Sequence, residues 1–417
     1  FGYAWDEERS MFEGVRKLAP GTLLRVRGAS AGRPVRWWRP PRIAGAVSEE
    51  RRADALVATL ETVVAEHLVA DVPIGLLLSG GLDSSVVAAL ACRRTTEPLR
   101  TISVGFEPCP DDERAHARRV AAHLGTRHEE IVLSPGDVME DFQSGAWFYD
   151  DLFWDTGFVT SLAIYRLCRE RGLKVVLVGE GSDEIFGGYR NFGLLGGRRF
   201  DRLPEGLHRY LFYRQYSGRQ WGGELAGFVA LVRRLRLEAG GDWFDTVRRY
   251  ELRHQIPNNL NMKVDRASMA SSVEARVPFQ DRRVVEAACR APREALLANG
   301  TNKHLLRLAA RRARLLPDEI VDRPKFGMLM PGGWLAADPG LSALAAELVL
   351  APDAWAGRLG VRPLVRAFFE GRARTWARHF RAHLAFGTLA WRLFVLELWT
   401  RAYRPAEVAR RLAAARR

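Results

Sequence analysis

Between residues 48 and 200 the apolar positions recur in two alternating patterns. From Glu49 to Ala70, the apolar residues Leu56, Leu60, Val63, Val64 and Leu68 fall mostly three or four apart, the spacing of one helix face. Val72–Leu78 then follows as a short apolar run without a charge. A run of that length with no polar face predicts a strand covered on both sides, as in a parallel sheet. The alternation repeats through helix Leu82–Arg94, strand Leu99–Phe106, helix Asp112–Leu124, strand His128–Leu133, helix Phe158–Arg171 and strand Lys174–Val178. The fold class expected is α/β, a parallel sheet with helices on both faces. After about residue 200 the strand pattern stops. The remainder, rich in Leu, Ala and Arg, reads as helical. Residues 1–39 read instead as short antiparallel strands, with turns at Ala19-Pro20-Gly21 and Gly32-Arg33-Pro34. The organisation expected is therefore a remnant of an upstream domain over 1–40, an α/β core over 48–200 and a helical part over 201–417. Since the chain opens on Phe1, a fragment of a longer protein is expected.

Composition narrows the function classes. A chain of 417 residues, 47% hydrophobic and 27% charged, is long enough for two or three domains and excludes disorder as its main state. No run reaches the roughly 18 apolar residues that span a bilayer, so no membrane partner is expected. Cys92, Cys109, Cys168 and Cys289 are scattered without a CxxC. That argues against a disulfide framework and for a reducing, cytoplasmic setting. The net charge of +14 comes from 63 basic against 49 acidic residues. Only five of the basic residues are lysines, namely Lys17, Lys174, Lys263, Lys303 and Lys325. Arginine is spread over nearly every segment, which reads as a composition bias rather than a nucleic-acid patch. The rare lysines are then worth examining singly, because Arg does not replace a compact ammonium.

Two glycine-rich loops carry the candidate chemistry. Ser79-Gly80-Gly81-Leu82-Asp83-Ser84-Ser85 lies between the first apolar strand and a helix. Adjacent glycines permit a sharp turn, and free N–H groups at the helix start favour an anion. The hydroxyls of Ser79, Ser84 and Ser85 can add donors, while Asp83 in a phosphate site points to Mg²⁺. No Lys follows the glycines, so the P-loop pattern fails. The second loop, Gly179-Glu180-Gly181-Ser182-Asp183-Glu184-Ile185-Phe186-Gly187-Gly188-Tyr189, follows strand Lys174–Val178. Its carboxylates sit at the sheet edge where ligands bind in open α/β folds. Asp183 is a candidate second Mg²⁺ ligand and Glu180 a candidate acid–base group; helix capping would account for the same acidic residues.

The first loop resembles the pyrophosphate loop of the ATP pyrophosphatases, an adenine nucleotide alpha hydrolase-like group. The second is similar to the asparagine synthetase family. So are Asn261–Ala270, Val273–Asp281, Asn302–Arg307, Leu316–Ile320 and Asp322–Gly327, in order and spacing, and Met11–Gly21 resembles the end of that family's glutaminase domain. The resemblance implies ATP and Mg²⁺ as cofactors, a small-molecule carboxylate adenylated with loss of pyrophosphate, and ammonia from a glutaminase as the nitrogen donor. A homodimer is compatible with it. It places Leu78, Ser79, Gly80, Gly81, Asp83, Ser84, Ser85, Val104, Gly179 and Lys263 at ATP or pyrophosphate. Asp83 and Asp183 fall at metal, Arg276 and Gly181 at the acyl substrate, and Lys325 and Glu180 at the chemistry. Three departures stand out: Val178 replaces a usual Ser, Gln280 a usual Leu, and Asp150–Ser161 differs from the aspartate-binding stretch. Aspartate is the first expectation for the acceptor. The alternatives are another amide-forming enzyme, of the natural-product amidotransferase, β-lactam synthetase or lasso-peptide cyclase type, and then a tRNA-modifying pyrophosphatase.

Overall fold

The computed structural model describes residues 8–45, 47–107, 113–153, 155, 157–189, 192–193, 204, 207, 224–298, 301–324, 335, 338–371 and 380–415. Helix α1 (Glu49–His67) starts where Ser48 accepts a hydrogen bond from the N–H of Arg51, with Glu49 and Glu50 in its first turn. Both features suit the positive end of a helix. Five parallel strands follow along the chain: β1 (Ile74–Leu77), β2 (Arg100–Phe106), β3 (Arg127–Leu133), β4 (Val175–Leu177) and β5 (Glu274–Arg276). They lie in the order β3-β2-β1-β4-β5. The chain therefore leaves β1 toward one edge and returns to its other side at β4. That reversal opens a crevice beyond the carboxyl ends of β1 and β4, between their two loops.

Helices α2 (Leu82–Cys92), α3 (Arg114–Leu124), α4 (Met139–Phe148) and α5 (Phe158–Glu170) connect the strands. The short α6 (Ser182–Phe186) follows β4. Two apolar cores form on the two sides of the sheet, one taking Leu76 and Leu177, the other Ile102, Val176 and Val178. Strand residues alternate between them, which is why the strand sequences read as unbroken apolar runs.

The helical part has more sheet in it than the sequence pattern predicts. β5 lies beyond residue 200 and completes the sheet by pairing Glu274–Arg276 with Val175–Leu177. The α/β core therefore extends past the expected boundary. Three residues, two of them charged, at a sheet edge leave no apolar run to read. Helices α7 (Glu224–Glu238) and α8 (Trp243–Tyr250) precede a π-helical stretch, Glu251–Leu260, that contains Pro257. Proline has no N–H to donate, so ordinary i→i−4 bonding cannot be complete there. The stretch runs directly into α9 (Asn261–Ala270), which packs against α5. Helices α10 (Arg282–Arg290), α11 (Arg293–Leu296), α12 (His304–Arg312) and α13 (Asp318–Val321) follow. The carboxyl-terminal helices are α14 (Pro339–Leu350), α15 (Trp355–Arg358), α16 (Arg362–Phe369), α17 (Phe380–Ala402) and α18 (Pro405–Ala415). Among the described residues no helix is long and apolar enough to cross a membrane.

Near the amino terminus, two antiparallel two-residue pairs, Thr22–Leu23 with Val35–Arg36 and Val26–Arg27 with Ser30–Ala31, agree with the short strands expected there. The segment is tied to the body at both ends. Phe12 packs against Trp399 and Tyr403, and Trp38 Nε1 donates to Glu286 at 3.0 Å.

Among the described residues Arg248 is the largest fully buried side chain, and it locks α8 to α10. Its guanidinium donates to the carbonyls of Ala288 at 2.7 Å and Cys289 at 2.8 Å, at the end of α10, and to Asp245 at 2.6 Å. A cation at a helix carboxyl end is favourable, and here it is also dry. Arg248→Met should lower the unfolding free energy by about 2–4 kcal/mol, because it leaves the buried carbonyls of Ala288, Cys289 and Ala291 without this donor and leaves Asp245 with Arg249 as its remaining cation. Chemical denaturation would read this as a lower midpoint, and a shift under about 1 kcal/mol would show that the contacts are replaceable.

Candidate active site

The loop after β1 folds back on its own hydroxyls. Ser79 Oγ lies 3.0 Å from Ser84 Oγ, and the N–H of Gly81 donates to Ser79 Oγ at 3.2 Å. Gly80 makes the turn, with φ +70°. A Cβ there would lie 2.4 Å from the N of Ala117, so the loop touches α3 directly and only glycine fits. No side chain caps the start of α2, which leaves its N–H groups turned toward the crevice. Across the crevice, Ser182 Oγ, at the start of α6, donates to Asp83 Oδ1 at 2.8 Å.

The centre of the charged end is Lys303, which the motif pattern does not assign to the site. It is 4% exposed and has the left-handed φ of 56° just before α12. Its ammonium lies 2.7 and 2.6 Å from the two oxygens of Asp83 and 2.6 Å from Asp183 Oδ1. Burial pulls the ammonium toward neutrality, but the two carboxylates outweigh it and hold the pKa above the ordinary lysine value. The group is therefore charged at neutral pH. Gly188 forms the wall behind this pair. A Cβ on it would stand 1.8 Å from Asp183 Oδ1 and 2.3 Å from Lys303 Cε, and its carbonyl accepts from Asn302 Nδ2 at 2.8 Å.

A cavity of about 280 Å³ runs from this cluster along the ends of β1, β2 and β4. Among the expected site residues, Leu78, Ser79, Gly81, Asp83, Ser84, Val104, Gly179, Glu180, Gly181, Asp183 and Lys263 line it. Arg307, Arg323 and Glu113 line its charged end, with Arg323 paired to Glu113 at 3.0 Å. Tyr165 and Ser161 of α5 line it as well. Tyr189 donates to Glu184 at 2.5 Å. Burial, then the charges of Glu184 and Asp183, push that phenol well above its usual pKa, so it stays a neutral donor.

Several expected residues lie elsewhere. Arg276 is engaged away from the cavity: its guanidinium donates to the carbonyls of His67 at 2.7 Å and Val69 at 2.8 Å and pairs with Glu274. It closes the carboxyl end of α1, a position that favours a cation, and does not line the cavity. Gly80 faces α3, and Ser85 is fully buried with its hydroxyl unpaired among the described residues, outside the cavity wall. Lys263, though on the cavity wall, pairs with Asp155 at 3.9 Å, and Arg266 pairs with Asp150 at 3.2 Å and Asp265 at 3.1 Å. Lys325 lies outside the described residues. The signal that could have found Lys303 is the scarcity of lysine together with its place in Asn302–Arg307.

The donor set bears on Mg²⁺. Two carboxylates, in the first turns of α2 and α6, converge on the Lys303 ammonium, which holds the position between them that a metal ion would otherwise share. Among the described residues no group of three or more His, Cys, Asp or Glu side chains surrounds a common point. Magnesium is ordinarily held by one or two carboxylates with phosphate oxygens and water, so Asp83 and Asp183 fit an ion that arrives with a polyphosphate.

Comparison with known proteins identifies relatives of the chain. The asparagine synthase family model matches residues 55–401. Asparagine synthetase 1 (glutamine-hydrolysing) of Bacillus subtilis is 30% identical over 305 residues, covering 64% of this chain and 47% of the relative. Asparagine synthetase 3 of the same organism is 29% identical over 358 residues, covering 76% and 54%. Asparagine synthetase B of Escherichia coli is 31% identical over 266 residues, covering 60% and 40%. The chain thus spans about half the length of the curated relatives it matches.

Gly188→Ala tests the close approach at the charged end. The added methyl overlaps both Asp183 and Lys303, and overpacking of this kind costs about 1–3 kcal/mol. ATP binding should weaken roughly tenfold or more, with the circular dichroism spectrum unchanged. Unaltered binding by calorimetry would mean the cluster has room to move.

Proposed function

Because the chain belongs to the asparagine synthase family, we propose that it is an ATP-dependent ligase that activates a carboxylate and converts it to an amide. The observation that carries this is the cavity itself. Open helix N–H groups, three cationic side chains and two metal-fit carboxylates share its charged end. Leu78, Ile102 and Val104 supply an apolar surface at the strand ends suited to a base.

In this reading a carboxylate oxygen of the acceptor attacks the α-phosphorus of ATP. The bond from that phosphorus to the bridging oxygen breaks, and pyrophosphate leaves. Asp83 and Asp183 would hold Mg²⁺, which would supply neutralising charge to the polyphosphate when bound. Lys303 adds positive charge at the same centre, and Lys325 is the second ammonium that the family resemblance brings there. A donor fixed in a dry site stabilises the charge that builds up at the transition state without reorganising. Ammonia then attacks the acyl carbon of the adenylate, Glu180 takes a proton from the nitrogen, and AMP leaves. The names of the relatives support a glutaminase domain as the ammonia source and aspartate as acceptor. The cavity wall on the α5 side favours a second reading, in which the acceptor is a different carboxylate.

Pyrophosphate release from Mg-ATP, measured with a carboxylate panel that begins with aspartate, tests the reaction class. Asp83→Asn should reduce the rate about 100-fold, because the amide is a poor metal ligand and leaves Lys303 under-paired. Turnover within about threefold of the parent at saturating magnesium would remove the metal role. Lys325→Arg keeps the charge but changes its reach. The single-turnover rate of AMP formation should fall by about 100-fold while ATP affinity changes little. Equal losses in both would make Lys325 a binding residue only.

A further inference from the structure

Away from the phosphate end, two helical faces wall the cavity. α5 presents Ser161, Ile164 and Tyr165. Leu260, at the end of the π-helical stretch, joins Lys263 and Val264 of α9. Each triplet has the spacing i, i+3, i+4, so each is one continuous stripe. The two helices pack together, and Tyr149, behind them, donates to Phe158 O at 3.1 Å and Lys263 O at 3.3 Å. The wall is therefore built and held, and three of its six side chains, Ile164, Leu260 and Val264, are aliphatic.

Tyr165 is 3% exposed and lines the cavity, yet its hydroxyl has no hydrogen-bond partner among the described residues. A buried phenol of this kind ordinarily has one. Burial and the neighbouring Glu180 charge push its pKa well above the usual value, so it remains a donor throughout the working pH range. Aspartate would bring an ammonium and a second carboxylate onto this wall, each needing a charged partner once desolvated. The stripes offer one cation, Lys263, which is already near Asp155, and no carboxylate. Glu180 beside them is committed to the incoming nitrogen.

We infer that the acceptor is a carboxylate with an uncharged, largely apolar body, aliphatic or aryl, which lies on the α5 and α9 stripes, while its carboxylate receives a hydrogen bond from Tyr165. This rests on the reading of the cavity as a carboxylate-activating ATP site. The reacting carboxylate faces the charged end, and the body takes the space beside Ile164, Leu260 and Val264.

The test is carboxylate-dependent exchange of labelled pyrophosphate into ATP by the full chain. Aspartate, glutamate, hexanoate and 3-phenylpropanoate serve as probes, and ATP binding is measured separately by calorimetry. Hexanoate or 3-phenylpropanoate should exceed aspartate at least about tenfold in kcat/KM. Tyr165→Phe should raise the KM of the preferred acid about tenfold, the worth of a hydrogen bond to a charged or strongly polar group. The KM for ATP should stay within about twofold. Aspartate as the best substrate would overturn the inference and leave the ATP chemistry standing. ATP binding without exchange for any of the four acids would overturn the proposed function and the inference with it. A Tyr165→Phe variant that leaves the acid KM unchanged, or shifts the KM for ATP equally, would show that the tyrosine only packs.

Discussion

The ammonium of Lys303 reaches carboxylate oxygens of Asp83 and Asp183, on two loops 100 residues apart in the chain, at 2.6–2.7 Å. Without it, two carboxylates would face each other across the crevice with no cation between them, a repulsive arrangement. The other features of the charged end follow from that pairing. Lys303 holds a left-handed backbone conformation just ahead of α12, and Asn302 is bound to the Gly188 carbonyl. Gly188 must lack a side chain for Asp183 and Lys303 to meet in front of it. The ion pair thus fastens the segment before α12 to the ends of β1 and β4. It places the helical part of the chain in the crevice that the strand order opens.

Much of the sheet was legible because its strands are buried on both faces. Ile74–Leu77 and Arg100–Phe106 announce themselves by apolar content, and the loops that follow β1 and β4 by their glycines. β5 was not legible. Its pairing with β4 is a tertiary fact, and Glu274-Ala275-Arg276 has no strand signature of its own. The surroundings of Arg276 were equally hidden. Spacing within a motif says nothing about which face of a strand a side chain takes, and the exposed carbonyls at the end of α1 capture this guanidinium.

The acceptor wall is hidden from sequence for a different reason. Ser161, Ile164 and Tyr165 read as an ordinary apolar helix face, and so do Leu260 and Val264. The packing of α5 on α9 brings two such faces to one cavity at the edge of the apolar core to which Ile164, Tyr165 and Val264 also belong. Pro257 bears on this, because the π-helical stretch around it feeds α9 and sets where Leu260 and Lys263 fall. A local break in helix regularity therefore positions residues on the wall of the site, as such breaks often do.

The arginine-rich composition becomes informative at this point. Lys174 is exposed, so rarity alone marks nothing. Lys303 is different because of its surroundings. Its Cε already lies within 2.3 Å of where a Cβ on Gly188 would stand, and its ammonium approaches oxygens from two separate loops. A guanidinium is planar and directs its donors in a fixed fork, which suits one carboxylate side-on rather than two from different directions. A compact, rotatable ammonium satisfies both. Where the chain needs only positive charge or a bidentate clamp, as at Arg248, Arg276 and Arg323, it uses arginine. Where the geometry demands a point charge in a closed space, lysine remains.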